Sequence, residues 1–308
     1  PQPIAKPVAW AEGMRRFSPS AINEYMRCQL LFFYNRVAKI KAPQKQAVII
    51  EPNVLGSVFH KTAELFYLDF VKHGNPVITP ARLAPFLEPA ADASLVFYVR
   101  RAMAEEQVGE NVLVEQIVKS FFKQLLRNDS KLETFKIKGL ETPRSLTFNV
   151  LVNGAVRQVE LCGIIDRMDI VSDSTINDGT ETLRIVDYKT NGSMEQALSM
   201  DALFTPGEKH PHYVLQTFLY ALMVAPDVNS MPLMPTLFFV NKYGDKTFLP
   251  YIKYANEPLT DFAPLAQDFK FRLEKLLSEM LDEATPFKPT SVLQRCENCN
   301  YRLLCYGK

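Results

Sequence analysis

Hydrophobic positions between Ile22 and Leu125 recur every three or four residues, whereas those between Phe135 and Tyr188 tend to alternate with polar ones. The chain therefore reads as helices first and an antiparallel sheet second. Ser18-Pro19-Ser20 supplies a capping hydroxyl and a first-turn proline, and Ile22, Tyr25, Met26, Leu30, Phe33 and Val37 follow at helical spacing. One helix is predicted there, with Cys28 inside it. Leu55, Val58, Phe59, Thr62, Ala63, Phe66 and Phe70 predict a second helix over 54–72, on which His60 and Glu64 fall one turn apart. Residues 75–128 carry Pro76, Pro80, Pro85 and Pro89 as punctuation before a long amphipathic run, which predicts a helical insertion.

From Leu132 the period becomes two. Short strands are predicted at 135–138, 146–150, 157–161, 164–171 and 183–188, with the polar loop 172–182 joining the last two. Beyond Pro206-Gly207 the pattern gives a helix over 212–224, a strand at 236–240 paired with 246–251, and a final helix over 259–283 before a cysteine-rich tail. With no internal repeat and no low-complexity segment, the order predicts one mixed α/β domain, 1–308, elaborated at both ends.

Composition narrows the function classes. Lys+Arg 35 against Asp+Glu 34 gives a net charge of +1, so a polyanion partner has to be recognised locally. At 47% hydrophobic and 22% charged, with 12 Gly and 21 Pro, the chain is not disordered, collagen-like or coiled coil. The apolar run from Val214 to Ala225 is interrupted by Gln216 and falls short of the roughly 20 residues of a bilayer span. No charged-then-apolar leader follows Pro1, so a reducing, cytoplasmic setting is expected. Five cysteines there argue against a disulfide framework. The missing initiator Met suggests a domain cut from a longer polypeptide.

Chemistry concentrates in Gly163-Ile164-Ile165-Asp166-Arg167-Met168-Asp169 and in Leu183-Arg184-Ile185-Val186-Asp187-Tyr188-Lys189-Thr190. Asp187 and Lys189 are two apart in a predicted strand, so both side chains leave the same face. If the strand bearing Asp166 pairs alongside, a second carboxylate joins them. Hard oxygen donors beside an amine suit Mg²⁺ or Mn²⁺ and the hydrolysis of a phosphodiester, with His60 as an imidazole ligand or a group orienting the water. Taken alone, an Asp-x-Lys triplet is an ordinary strand-end ion pair.

Four segments together change that weighting. Leu55-Gly56-Ser57-Val58-Phe59-His60, Gly163 through Asp169, Val186-Asp187-Tyr188-Lys189-Thr190 and Gln216-Thr217-Phe218-Leu219-Tyr220, in that order, resemble the RecB-type branch of the PD-(D/E)XK nucleases. The resemblance implies a restriction-endonuclease-like fold and metal-dependent hydrolysis of DNA, typically of single strands fed by a helicase. It implies His60, Asp166, Asp187 and the Tyr188 carbonyl as metal ligands and Lys189 as the catalytic lysine. It also implies that Gln216 and Tyr220 contact the substrate strand or brace the site. Glu141 and Asp169 stay open, as supports of the site or as surface acids.

Cys296-x2-Cys299-x5-Cys305 offers three thiols in the tail, and a remote fourth completes a site for zinc or an iron-sulfur cluster. Cys28 is the natural fourth, which leaves Cys162 spare; reduced, packed thiols are the plain alternative. Ser18 through Cys28, taken with this tail, resembles the iron-sulfur staple of AddB-like nuclease domains. That resemblance implies a structural 4Fe-4S cluster on Cys28, Cys296, Cys299 and Cys305, tying residues 18–36 to 290–308.

Arg15, Arg16, Arg27, Arg36, Lys39, Lys41 and Lys45 lie among Phe17, Tyr25, Phe32, Phe33 and Tyr34, which suits either a single-stranded DNA surface or a solvated helix face. Lys242, Lys246 and Arg302 are equally uncommitted. The sequence thus predicts a DNA nuclease of exonuclease type acting on single-stranded ends. It is expected to work with a helicase, fused or separate, in recombination and double-strand-break repair. A silent nuclease-fold scaffold is the alternative, disfavoured by the presence together of His60, Asp166, Asp187 and Lys189. A zinc-containing structural protein is a third.

Overall fold

The computed structural model describes residues 1–7, 10, 15–41, 52–241 and 251–307. β1 (Arg15–Phe17) leads into α1 (Pro19–Arg27), where the Ser18 hydroxyl accepts from the Ala21 N–H as the capping pattern predicts. The expected single helix then breaks. Cys28 takes an extended backbone (φ −167°, ψ 117°), and the chain restarts as α2 (Gln29–Phe32) and a π-helical turn over Phe33–Val37. Tertiary contacts explain the break: Leu30 N–H donates to the Lys288 carbonyl, and Gln29 Oε1 accepts from Lys288 N–H at 2.8 Å. The restarted segment docks on the C-terminal tail instead of following the axis of α1.

The long helix α3 (Pro52–Lys72) buries Val58, Phe59, Ala63, Leu65 and Phe66. After β2 (Val77–Ile78), α4 (Pro80–Leu87), α5 (Asp92–Glu105) and α6 (Val112–Asp129) join it in one helical layer. Phe66 meets Phe70, Phe86, Tyr98 and Phe122 with centroids 4.9 to 5.3 Å apart, within the range of favourable edge and tilted packing. The segment expected as an insertion therefore packs with α3 over one face of the sheet, against Phe135, Ile137, Val171, Val186 and Tyr188.

Four of the expected short strands fuse into two long ones, β3 (Thr134–Val152) and β4 (Ala155–Ser172). Asn153 and Gly154 stand between the paired Val152 and Ala155 with φ of 50° and 80°, a two-residue turn whose twist suits the hairpin. α7 (Ser174–Asn177) precedes β5 (Thr182–Lys189), which runs antiparallel to β4. Then come β6 (Gln196–Ala197), α8 (Met200–Phe204), α9 (His212–Val224) and β7 (Leu233–Phe239). β7 lies parallel to β5, after the α9 crossover, and every one of its residues is buried. Its expected partner falls mostly at 246–250, outside the described residues. β8 (Ile252–Tyr254) pairs with β6 on one side and β9 (Glu257–Leu259) on the other in a small second sheet, so α10 (Ala263–Leu281) starts later than its periodicity suggests. α11 (Gln294–Glu297) and α12 (Arg302–Tyr306) close the tail.

The main sheet runs β2-β3-β4-β5-β7, with β1 added to β4, and the mixed α/β architecture expected from the sequence is realised. Alternation along β5 divides the core. Val186 and Tyr188 face the α3 layer, whereas Ile185 faces the layer built from α1, α9 and α10. α9 can lie close because β4 has a glycine beneath it: a Cβ on Gly163 would stand 2.9 Å from Tyr220 Cε1. Among the described residues, no helix is long and apolar enough to cross a membrane.

Candidate active site

β4 and β5 stay paired from Val171 with Thr182 to Arg167 with Val186 and then part. Asp166 and Asp187 are the next residues on the two strands. Released from the ladder, the Tyr188 N–H donates to Asp166 Oδ2 at 2.7 Å. On the other side of β4, Glu141 falls between the Leu140–Arg167 and Thr142–Ile165 pairs with φ of 42°. That backbone costs a non-glycine residue about 1 kcal/mol and turns Glu141 toward Asp166 and His60.

Each helical layer contributes one polar side chain. From α3, His60 Nδ1 reaches 3.3 Å from Asp166 Oδ1 and 3.9 Å from Glu141 Oε1. From α9, Gln216 Nε2 donates to Asp187 Oδ1 at 3.3 Å and to Tyr220 Oη at 3.2 Å, while its Oε1 accepts from Lys189 Nζ at 3.4 Å. Lys189 Nζ stands 2.6 Å from Asp187 Oδ2. His60, Asp166, Asp187, Tyr188, Lys189, Gln216 and Tyr220 are thus neighbours in space.

Charge in this pocket is unbalanced. Burial pushes the Asp187 carboxyl up to about 6, with the Asp166 charge adding to it against the pull of Lys189. Glu141 rises to about 7 through burial and through Asp166. Burial opposes a charge on His60, yet Asp166 and Glu141 outweigh it and carry the imidazolium up to about 9. Lys189 is likewise raised, burial losing to Asp187 and Asp166. Three carboxyl groups share one ammonium and one imidazole.

The donor set fits a hard divalent cation. His60, Glu141 and Asp166 each offer one ligand atom within 4.8 Å of the others, the grouping of this kind among the described residues. Asp187 Oδ2 is buried and accepts no hydrogen bond of good geometry, although the ammonium is near. Such an oxygen has a coordination position to give.

Directly behind, on the other face of the same strands, lies a cluster that local spacing does not reveal. Arg167 binds Asp129 through two hydrogen bonds of 2.7 and 2.9 Å, and Arg184 binds Asp169 through two of 2.8 Å. All four side chains are fully buried, and Tyr67 Oη adds a hydrogen bond to Asp129. The Arg167 guanidinium sits 5.0 Å from the Tyr67 ring and 5.6 Å from that of Tyr188. Asp169 is therefore neither a surface acid nor a member of the pocket.

Cys28, Cys296, Cys299 and Cys305 gather round one small cavity beside Tyr34, and a second cavity of about 200 Å³ touches the first three. Burial raises the Cys305 thiol, while its hydrogen bond with Tyr34 pulls the other way. Cys162 lies elsewhere, opposite Ser145 in the hairpin. Arg295 ties the tail to α1 by donating to the Arg27 carbonyl at 3.1 Å, and Tyr301 Oη donates to the Ile40 carbonyl at 2.7 Å. Neither reading of the aromatic residues near the N-terminus holds for Phe17, Tyr25, Phe32 and Tyr34, which are buried, Phe17 from β1 and the other three from the inner side of their helical turns. Arg16 and Arg36 are held by Glu160 and Glu24. Lys45, Lys242 and Lys246 lie outside the described residues.

A family model described as PD-(D/E)XK nuclease superfamily matches residues 16–306. No curated protein matches the chain. A solved structure titled "Crystal structure of SSO0001" aligns with 83% of this chain and 95% of its own, at 16% identity and a TM-score of 0.27.

Proposed function

The chain belongs to the PD-(D/E)XK nuclease superfamily, and from that premise we propose that it is a Mg²⁺- or Mn²⁺-dependent deoxyribonuclease of the RecB type. The observation that carries the reading is the meeting of Asp166, Asp187 and Lys189 with His60 where β4 and β5 separate. Asp166, Asp187, His60 and the Tyr188 carbonyl are the proposed metal ligands, with Glu141 added by its spacing. A divalent cation held there supplies Lewis-acid charge to a phosphodiester.

The chain's own groups do the rest. The Tyr188 N–H fixes one oxygen of Asp166, leaving the other toward His60. Lys189, charged and held by Gln216, is placed to orient the attacking water and to offset charge that grows on the phosphate. Gln216 also steadies Asp187 and Tyr220, so one amide sets the geometry of three groups.

The substrate of this reading is single-stranded DNA at ends, cut in exonuclease fashion, with a helicase domain or subunit supplying the strand in recombination and double-strand-break repair. The four gathered thiols support an AddB-like 4Fe-4S cluster on Cys28, Cys296, Cys299 and Cys305. Its role is structural, since the tail already docks on α1 and α2 at that point.

Digestion of end-labelled single- and double-stranded DNA with and without Mn²⁺ tests the activity, its ion requirement and its direction together. Cutting that persists in EDTA, or in the Asp187→Ala protein, overturns the assignment. Iron and labile sulfide near four per chain, with a visible absorption band, are expected of anaerobically purified protein.

A further inference from the structure

A cleft of about 790 Å³ opens on the α9 side of the pocket, walled by α1, by the segment from Glu195 to His212 and by the cysteine tail. Gln216 lines it and at the same time touches Asp187 and Lys189. The cleft therefore adjoins the reacting end of β5, with Gln216 standing between them. Its volume lies within the roughly 300–1,000 Å³ that enclose a ligand of one or two nucleotides' bulk.

Charge decides what the cleft takes. Of its three acids, Glu24 is engaged by Arg36 at 2.7 Å and by Asn35, Glu195 by His212 Nδ1 at 2.9 Å and by the Tyr213 N–H at 2.8 Å, and the exposed Glu208 is offset by Arg295, which also lines the cleft. Arg27 and Lys209 are exposed on its walls and form no ion pair among the described residues. The opposite side of the pocket is different. There, beyond the proposed metal ligands His60 and Glu141, a cavity of about 430 Å³ is lined by Glu64 and Glu106, and its Lys61 is bound to Glu64 at 2.7 Å. A phosphate chain is repelled on that side and compensated on the other.

Resting on the nuclease reading above, we propose that the α1–α9 cleft seats the nucleotides next to the scissile phosphate, with Arg27 and Lys209 on their phosphates. The strand then runs from the pocket along α1 toward Asn300 and Tyr301 and avoids the acidic cavity under α3.

Two measurements separate this seat from the nuclease reading itself. Wild-type protein with Mn²⁺ is given bis(p-nitrophenyl) phosphate, a diester too short to occupy the cleft; absence of hydrolysis, together with absence of oligonucleotide binding, overturns the nuclease reading. Binding of a fluorescent oligothymidylate, with Ca²⁺ replacing Mn²⁺, is then compared across charge-reversed variants whose melting temperatures are checked. Arg27→Glu with Lys209→Glu is expected to weaken binding more than about tenfold and to lower the salt slope by about 1.4, since each single-strand phosphate contact is worth about 0.7. Lys72→Glu with Arg127→Glu, the same charge change on the far helical layer, is expected to stay within about twofold. If the double variant melts early, Lys209→Glu alone carries the test, with a slope change of about 0.7 expected. Wild-type affinity and slope in a folded cleft variant, beside normal hydrolysis of the small diester by the wild type, overturn the seat and leave the nuclease reading standing.

Discussion

Two groups of charges stand back to back on β4 and β5, and they are built on opposite rules. Behind the sheet, Arg167 and Arg184 meet Asp129 and Asp169 in two bidentate pairs, two charges of each sign, joined by Arg167 Nε standing 2.9 Å from Asp169 Oδ2. In front, Asp166, Asp187 and Glu141 outnumber Lys189 and His60, contacts are single, and the pKa values of Asp187, Glu141, His60 and Lys189 are all displaced upward. Adjacent residues of one strand, Asp166 and Arg167, belong to different systems because successive side chains point to opposite faces. Closed charge holds the strands together; surplus charge on the same strands is available to a ligand.

The sharpest way to break this comparison is to remove one charge from each side. Asp187→Asn is expected to reduce DNA cleavage by about 10⁴-fold or more while the unfolding midpoint holds or rises, because a buried anion with a raised pKa is taken away. Nuclease assay and urea titration on the same sample check it. Behind the sheet, Asp129→Asn removes the carboxylate that holds Arg167 through two hydrogen bonds, leaves two buried guanidinium groups to share Asp169, and should cost about 3–5 kcal/mol in stability. An unchanged urea midpoint for that variant would erase the distinction between the two groups.

A smaller effect follows from pH. His60 is more basic when folded, with a pKa near 9, so its stabilising contribution is complete below its unfolded value near 6.5 and is lost as pH rises through 9. In protein kept metal-free with EDTA, wild type should lose of order 2 kcal/mol relative to His60→Gln between those values, after solvent screening. Parallel stability curves would show that the front group is as closed as the back. Least of all, Glu141→Gly relieves a left-handed backbone and is expected to raise metal-free stability by about 1 kcal/mol while weakening Mn²⁺ binding by calorimetry.

The front group was legible and the back group was not, for a physical reason. Asp187 and Lys189 are two apart, Gln216 and Tyr220 four apart, and local periodicity puts each pair on one face. Arg167 finds Asp129 38 positions away and Arg184 finds Asp169 15 away, through the register of β4 with β5 and the docking of α6. No spacing rule carries that information. The helix over 212–224 and the strand over 183–188 emerge where apolar patterning is strong. The break at Cys28 escapes it, since a helical pattern of apolar residues continues past a turn that only the C-terminal tail dictates. The Asn153-Gly154 turn was within reach of sequence reasoning and would have joined the short strands into one hairpin.

The bare backbone of Gly163 acts as a spacer of zero thickness. A single methyl there would meet Tyr220 Cε1 at 2.9 Å, and the α9 helix would have to lift off β4 to make room. Gln216 would rise with it, and the 3.2–3.4 Å contacts to Asp187, Lys189 and Tyr220 have no slack to absorb the displacement. The working order of the acids and the lysine is thus governed from below by an atom that the chain omits.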